Sequence, residues 1–417
     1  MTDPVRDLPA LRARTERLDL DLDLLDVAGE DGVVWAQGRV GLAGRGEALR
    51  IRVPAGDPAA AAAAVHRALD AIDVDDPLGL PGTGPVALGA LPFDPRRDGW
   101  LVVPELLVGR AEDGTRWMTT VGPPDAPRRL PHLEPSPATP RPGGPTRFTV
   151  TSPRSPEDWC AALIAARDEL RGGRARKVVL ARELVVEADA PISRSEVLSE
   201  LRRSYPACML FATDGFLGAS PELLVARSGD LVRSHPMAGT APRSSDPSTD
   251  ARLAANLLAS AKDQVEHRYT IDMVHDTLLP WCSYLDEEAE PSIVAMANVQ
   301  HLATRVEGRL SSPPASIVEL VRALHPTPAV NGSPRDEALA LIDRYEAIDR
   351  GRYGGPVGWV DAVGNGAWAV GIRSAELDGT RARLFAGVGV VADSDPAAEL
   401  AETRAKFQAL LGALLRP

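Results

Sequence analysis

Aromatic residues make up only 4% of the 417-residue chain, so its core must be assembled mainly from Ala, Val and Leu. Cysteine is equally scarce: Cys160, Cys208 and Cys282 stand far apart. That scatter excludes a CxxC-type metal centre and a dense disulfide framework, and it suits buried small hydrophobes in a reducing compartment. No apolar run approaches the length of a membrane span, and Met1 to Leu25 is studded with Asp, Glu and Arg, unlike a signal peptide. A cytoplasmic protein without a membrane partner is expected. Positive charge is also in deficit: the formal net charge is -12, which argues against nonspecific binding to nucleic acid or anionic lipid. What is present, 44% hydrophobic and 25% charged residues, is the composition of a soluble globular protein with a sizeable core. The length allows one large domain or two ordinary ones.

Residues 1–121 mix strand-like runs, Leu49 to Val53 and Trp100 to Val108, with one evident helix, Ala59 to Ile72, capped by Asp57 with Pro58 in its first turn. From Pro123 to Pro145 there are nine prolines and little apolar content. Residues 122–147 therefore read as a stiff, extended linker or surface crossing. The motif-bearing portion is 148–417. There Ser155-Pro156 opens a helix with a stripe of Trp159, Ala162, Leu163, Ala166 and Leu170, ended by Gly172-Gly173. Further helices are predicted over Ser248 to Leu279 and Ala397 to Leu415. Strands are predicted around Lys177 and over Leu217 to Val225, Val357 to Val360, Ala367 to Ala375 and Leu384 to Val391, with a hairpin turn at Asn365-Gly366. Without internal repeats or regular βαβ alternation, the fold class is α+β with largely antiparallel sheet.

Several charged residues sit where charge is unexpected. Lys177 lies in the run Arg176-Lys177-Val178-Val179-Leu180-Ala181-Arg182. Such a lysine either snorkels from a strand edge or leaves its ammonium in a cavity, where desolvation makes an amine usable as a base near neutrality. Glu222 follows Ser220-Pro221 in a strand-like apolar stretch; it is an exposed turn residue or a carboxyl held protonated by desolvation. In the last helix Glu399, Glu402 and Lys406 share one face, and in an earlier one Asp263 and Glu266 stand three apart. Each face alone fits a solvated surface. Together, across a cleft, they form a hard-oxygen site suited to Mg²⁺. Arg373 follows small residues on one side of its predicted strand, and Gly387 and Gly389 flatten another. This describes either close sheet packing or room for a ligand's carboxylate beneath a guanidinium fork.

The motifs run in order: the Lys177 strand, Gly218-Ala219-Ser220-Pro221-Glu222, His235-Pro236-Met237-Ala238-Gly239-Thr240, Lys262-Asp263-Gln264-Val265-Glu266-His267, His325-Pro326-Thr327-Pro328-Ala329, Tyr353-Gly354-Gly355-Pro356, Ile372-Arg373-Ser374, Phe385-Ala386-Gly387-Val388-Gly389, and the Glu399, Glu402, Lys406 helix. In this order and spacing, over about residues 150 to 415, the chain resembles the chorismate-utilising enzymes. That family comprises the isochorismate, anthranilate, aminodeoxychorismate and salicylate synthases.

The resemblance implies two packed sheets forming a β-sandwich with helices outside, and both chain portions in one fold. It implies isochorismate synthase activity: Mg²⁺-dependent conversion of chorismate by water addition at C2 and loss of the C4 hydroxyl. By resemblance Lys177 is the base and Glu222 the acid. Glu266 and Glu402 are the metal carboxylates, with Glu399 helping. Gly239, Thr240, His301, Ala329, Arg373, Gly387 and Lys406 contact the substrate. Ammonia-adding relatives carry Gln where Lys177 stands, and aminodeoxychorismate synthases often carry Lys where this chain has Ala238. Salicylate synthases tend to have Thr near Ala329. Val274-His275-Asp276 departs from the Arg-Asn-Asp of the ammonia users. The chain is therefore expected to work without a glutaminase, as a monomer. The alternatives are a salicylate synthase, which goes on to release pyruvate, and a catalytically silent binding homologue.

Overall fold

The computed structural model describes residues 9–125, 144–297 and 299–415; most of the proline-rich linker, 126–143, lies outside them. Alternating apolar residues build two large sheets, of thirteen and nine strands among the described residues. The first runs from Phe148–Thr151 through Lys177–Ala188, Arg381–Val390, Ser374–Asp378, Phe216–Ser220 and Met209–Thr213. It then passes directly into Val33–Gln37 and Val40–Arg45. The second runs from Cys282–Glu287 through Val306–Leu310, Leu231–His235, Leu223–Ser228, Gly366–Val370 and Pro356–Asp361 into Val86–Ala90, Gly99–Val103 and Leu49–Val53. Residues before and after the linker thus hydrogen-bond within both sheets. Pairing is antiparallel except where Leu11–Arg17 meets Ile72–Asp75.

Some of the few aromatics pack where the sheets face each other. Met209, Phe211 and Phe216 of the first sheet interlock with Ala90, Val357 and Ala369 of the second. Val33, Leu42, Leu107 and Trp117 meet Val86 and Leu88 in the same way. Helices Leu24–Ala28, Arg194–Ser204 and Pro396–Leu415 cover the outer face of the first sheet. Helices Pro58–Asp70, Pro156–Arg171, Ile317–Leu324 and Arg335–Tyr345 close the rest of the core. Two packed, mainly antiparallel sheets with external helices are the expected α+β sandwich.

Two neighbouring strands change sheet. Phe216–Ser220 belongs to the first sheet and continues through Pro221-Glu222 into Leu223–Ser228 of the second. Beside it, Gly366–Val370 of the second sheet continues through Gly371 to Arg373 into Ser374–Asp378 of the first. The strands stay paired on both sides of the crossing, Gly218 with Ser374 and Leu223 with Ala369. A third sheet of Met237–Pro242, Val299–Ala303 and Ser292–Ala295 begins where the chain leaves the second sheet after His235.

These crossings correct the sequence reading. Leu217 to Val225 and Ala367 to Ala375 are each broken rather than continuous. Pro221 has no N–H to offer a ladder, and Arg373 adopts a left-handed φ of 51°. Trp100 to Val108 is likewise split at Pro104, into Gly99–Val103 and Leu106–Arg110. The helix expected over Ser248 to Leu279 is two, Pro247–Ala259 and Ala261–Leu278. The extended Ser260 ends one and caps the other by accepting from the Asp263 N–H.

Phe211 is fully buried and lies 5.3 Å, centroid to centroid, from Phe216 in the sandwich interior. Phe211→Ala should therefore destabilise the fold by about 3–5 kcal/mol. A urea midpoint unchanged from the parent protein would show that the sheets do not depend on this contact.

Candidate active site

At the seam where the strands change sheets lies a cavity of about 290 Å³. Lys177 opens the strand Lys177–Ala188, where it pairs with Ser333, and is only 1% exposed. A buried ammonium needs an anion, and its Nζ lies 2.6 Å from Glu266 Oε1 on the helix Ala261–Leu278. Burial pushes the Glu266 carboxyl up, but the charge and hydrogen bond of Lys177, joined by Lys406 and Lys262, outweigh it and the net shift is downward. Gly389 explains its own identity: a Cβ there would stand 2.7 Å from Lys177 Cε and 2.8 Å from Glu266 Oε1.

The opposite wall is the helix Pro396–Leu415, whose first turn is capped by Asp395 accepting from the Ala398 N–H. Lys406 Nζ stands 2.6 Å from Glu402 Oε1 and donates to Gly387 O at 2.9 Å. This i,i+4 pair lies inside the cavity rather than on a solvated face. Glu399 has its pKa pushed up to about 7 by burial and by neighbouring Glu402. Glu222, on the first crossing, is buried and pushed up to about 8, with desolvation outweighing the Met237 N–H and the cations Lys177, Arg373 and Lys406. It is protonated at neutral pH.

Arg373, on the second crossing, reaches the cavity because its left-handed backbone turns it there, not through strand alternation. His301 Nδ1 faces Thr240 Oγ1 at 3.1 Å and Gly239 O at 3.3 Å. A carbonyl can only accept, so Nδ1 carries the proton and Nε2 is left to accept from Arg373 Nη2 at 3.3 Å. Burial and the cations Arg373 and Lys406 hold the His301 pKa down at about 3, consistent with a neutral ring that orients the guanidinium.

All twelve residues to which the resemblance gave a site role line this one cavity: Lys177, Glu222, Gly239, Thr240, Glu266, His301, Ala329, Arg373, Gly387, Glu399, Glu402 and Lys406. Sequence reasoning assigned no role to the apolar wall of Val179, Tyr353, Ile372 and Phe385, or to Lys262 at the rim. The rings of Tyr353 and Phe385 stack at 5.2 Å; their motifs, Tyr353-Gly354-Gly355 and Phe385-Ala386-Gly387, were the available signal. The result is a largely polar cavity with one apolar stretch of wall, lined by a guanidinium, ammonium groups and a buried carboxylic acid. Such a cavity suits a small cyclic dianion and proton transfer at its ring.

Among the described residues no three His, Cys, Asp or Glu side chains are gathered as a ready metal cluster. The donors nevertheless suit a hard cation. Glu266, Glu399 and Glu402 are carboxyls on facing helices, and Glu399, raised first by burial and then by its neighbour Glu402, would be returned to its charged form by a bound cation.

A sequence profile of the family described as "Chorismate binding enzyme" matches residues 33–415. Isochorismate synthase DhbC of Bacillus subtilis is 39% identical over 341 residues, which are 79% of this chain and 81% of that protein. A salicylate biosynthesis isochorismate synthase of Pseudomonas aeruginosa is 42% identical over 285 residues, 67% of this chain and 59% of that one. Among solved structures, MenF, the menaquinone-specific isochorismate synthase from Escherichia coli, superposes with a TM-score of 0.80 at 25% identity, covering 98% of this chain and 97% of that one.

A methyl group at Gly389 would collide with the Lys177–Glu266 contact. Gly389→Ala should cost about 1–3 kcal/mol of stability, and less in a Lys177→Ala background, which removes one of the two colliding groups. Equal costs in both backgrounds, measured by chemical denaturation, would contradict this geometry.

Proposed function

The chain belongs to the chorismate binding enzyme family, and we propose that it is an isochorismate synthase, converting chorismate reversibly to isochorismate with Mg²⁺. The observation that carries this reading is a buried amine, Lys177, and a buried carboxylic acid, Glu222, lining one cavity. Lys177, as the neutral amine left once its ammonium has given a proton to solvent, removes a proton from water, whose oxygen adds at C2 of the ring. The ring double bonds shift, and Glu222, protonated at neutral pH, gives its proton to the C4 hydroxyl, which leaves as water. Arg373, oriented by His301, and Lys406 hold the carboxylates, while Val179, Ala329, Val330, Ile372 and Phe385 pack against the ring.

Charge balance supports the metal. Four cations, Lys177, Lys262, Arg373 and Lys406, face five carboxyls, Glu222, Asp263, Glu266, Glu399 and Glu402. With Glu222 protonated the cavity is near neutral, and a dianion entering alone would leave it negative. Glu266 and Glu402, with Glu399, would hold Mg²⁺, which when bound would anchor and polarise the ring carboxylate. In taking Mg²⁺ the two glutamates would yield the contacts they now make with Lys177 and Lys406.

Water as nucleophile needs no glutaminase, so the enzyme is read as self-sufficient and monomeric. Among the described residues no helix is long and apolar enough to cross a membrane, in keeping with a cytoplasmic enzyme feeding menaquinone or siderophore-type synthesis. Ala329 and Val330 bring no hydroxyl to the ring, which favours release of isochorismate over onward elimination of pyruvate.

Purified enzyme given chorismate and Mg²⁺ should yield isochorismate by chromatography, with little pyruvate in a lactate-dehydrogenase-coupled assay. Chelation should abolish turnover and added Mg²⁺ restore it. Stoichiometric pyruvate with salicylate would overturn the assignment, and full activity in excess chelator would overturn the metal.

The acid must be protonated to act, so kcat/KM should fall as pH rises through about 8, the Glu222 value. Glu222→Gln should remove the acid and slow turnover by roughly 10²–10⁴-fold. A profile flat to well above pH 8 would reassign the proton donor.

A further inference from the structure

Behind the ring-facing wall lies a second charged pair that this chemistry does not use. Glu346 and Arg350 follow the helix Arg335–Tyr345, and their side chains are 1% and 3% exposed. Arg350 Nε stands 2.6 Å from Glu346 Oε1, and Nη2 2.5 Å from Oε2, a two-pronged contact. The remaining bonding capacity is directed at the cavity wall. Arg350 Nη2 donates to Val179 O and Nη1 to Val330 O, each at 2.8 Å, while Glu346 Oε2 accepts from the Ala181 N–H at 2.7 Å. The Arg350 carbonyl accepts from the Tyr353 N–H at 2.9 Å. Phe93 lies flat against the guanidinium, its centroid 4.0 Å away.

Val179, Val330 and Tyr353 all line the cavity, and Val179 and Ala181 pair with Gly389 and Gly387. One ion pair therefore ties two separate stretches of wall together, the lysine strand two and four residues beyond Lys177 and the 329–330 turn, while the Arg350 backbone starts the turn that carries Tyr353. A buried ion pair brings little net stability compared with apolar filling of the same volume. Its bonds to two wall segments give it a different use.

We propose that Glu346 and Arg350 are positioning residues, which fix the backbone of the lysine strand against the 329–330 turn so that Lys177 and the ring wall stay in register. The proposal rests on the cavity being the site of chorismate turnover. The groups that hold the carboxylates, Arg373 and Lys406, hang from other elements, so loosening this wall should lower kcat and leave KM nearly unchanged. A displacement of about 1 Å among reacting groups can cost about 100-fold in rate.

The test compares the full-length enzyme with Glu346→Gln, Arg350→Lys and the double variant Glu346→Gln/Arg350→Met, which strips both charges while nearly keeping volume. The double variant should fold, by near-ultraviolet circular dichroism and urea titration. Its kcat should drop at least about 10-fold with KM for chorismate within about threefold, and Arg350→Lys should retain an intermediate rate. A folded double variant with the parent kcat overturns the proposal, as does a loss that tracks the unfolded fraction or falls equally on kcat and KM. If the double variant does not fold, the nearly isosteric Glu346→Gln carries the same comparison. Ring products of the parent enzyme are identified in the same runs. Chorismate consumption without isochorismate would refute the assigned reaction, whereas the positioning role is judged on the rate of chorismate consumption alone.

Discussion

A lysine ammonium at 1% exposure must have an anion against it, and the contact between Lys177 and Glu266 sets the terms for the surrounding structure. Removing one partner from such a pair typically costs about 3–5 kcal/mol, because the other charge is left buried alone. Glu266 must therefore be delivered across the end of the first sheet, and the chain does this by breaking its helix at Ser260. The extended serine caps the new helix and places Lys262, Asp263 and Glu266 in its first two turns. The pair then dictates glycine at 389, since the space a methyl would need is taken. Lys406 with Glu402 repeats the device on the facing helix and also holds Gly387 O, so both flat strand positions are tied to a lysine.

Glu222, Glu266 and Glu399 are the same residue type in the same cavity, yet their neighbours drive them apart. Glu222 has no cation in contact; the lysines and Arg373 act on it only through space, and burial dominates. Glu266 touches an ammonium, and its charge is favoured despite comparable enclosure. Glu399 lies between these cases, near a like charge and without an ion-pair partner of its own. The proposed acid and the proposed metal ligands are thus distinguished by contacts rather than by sequence type.

Much of this site was legible in the sequence. A lysine in an apolar run and carboxylates at helical spacing are anomalies that local periodicity exposes, and the order of motifs connected them. Arg373 was identified for a reason that does not hold. Its place among small residues suggested one face of a continuous strand, whereas the chain leaves the second sheet after Val370 and the arginine takes a left-handed turn. Periodicity could not reveal this, because a change of sheet depends on which distant strands flank the crossing. Pro221 was the one local warning. Glu346 and Arg350 were invisible for a related reason. An acid and a base four apart in a polar stretch look like a surface helix pair, and only the tertiary arrangement places Phe93, Val179 and Val330 around them. The tautomer of His301 is also a tertiary fact, fixed by Gly239 O on one side and Arg373 on the other.

The location of the site follows from the same crossings. Over most of the sandwich, side chains from the two sheets interdigitate and leave no room for a ligand, as around Phe211 and Trp117. Where the paired strands pass from one sheet to the other, the sheets separate, regular ladders stop, and the backbone at Glu222 and Arg373 is free to aim polar side chains inward. The third sheet opens at the same place and brings Gly239, Thr240 and His301. A cavity at such a junction is bordered by strand ends from several directions, so its polar groups come from segments remote in sequence and are each held by a rigid element. That rigidity preorganises charge around a small anion at little entropic cost. It also explains why a buried ion pair such as Glu346–Arg350 is found just behind the wall: strand segments no longer held by a neighbouring ladder need another set of hydrogen bonds to fix them.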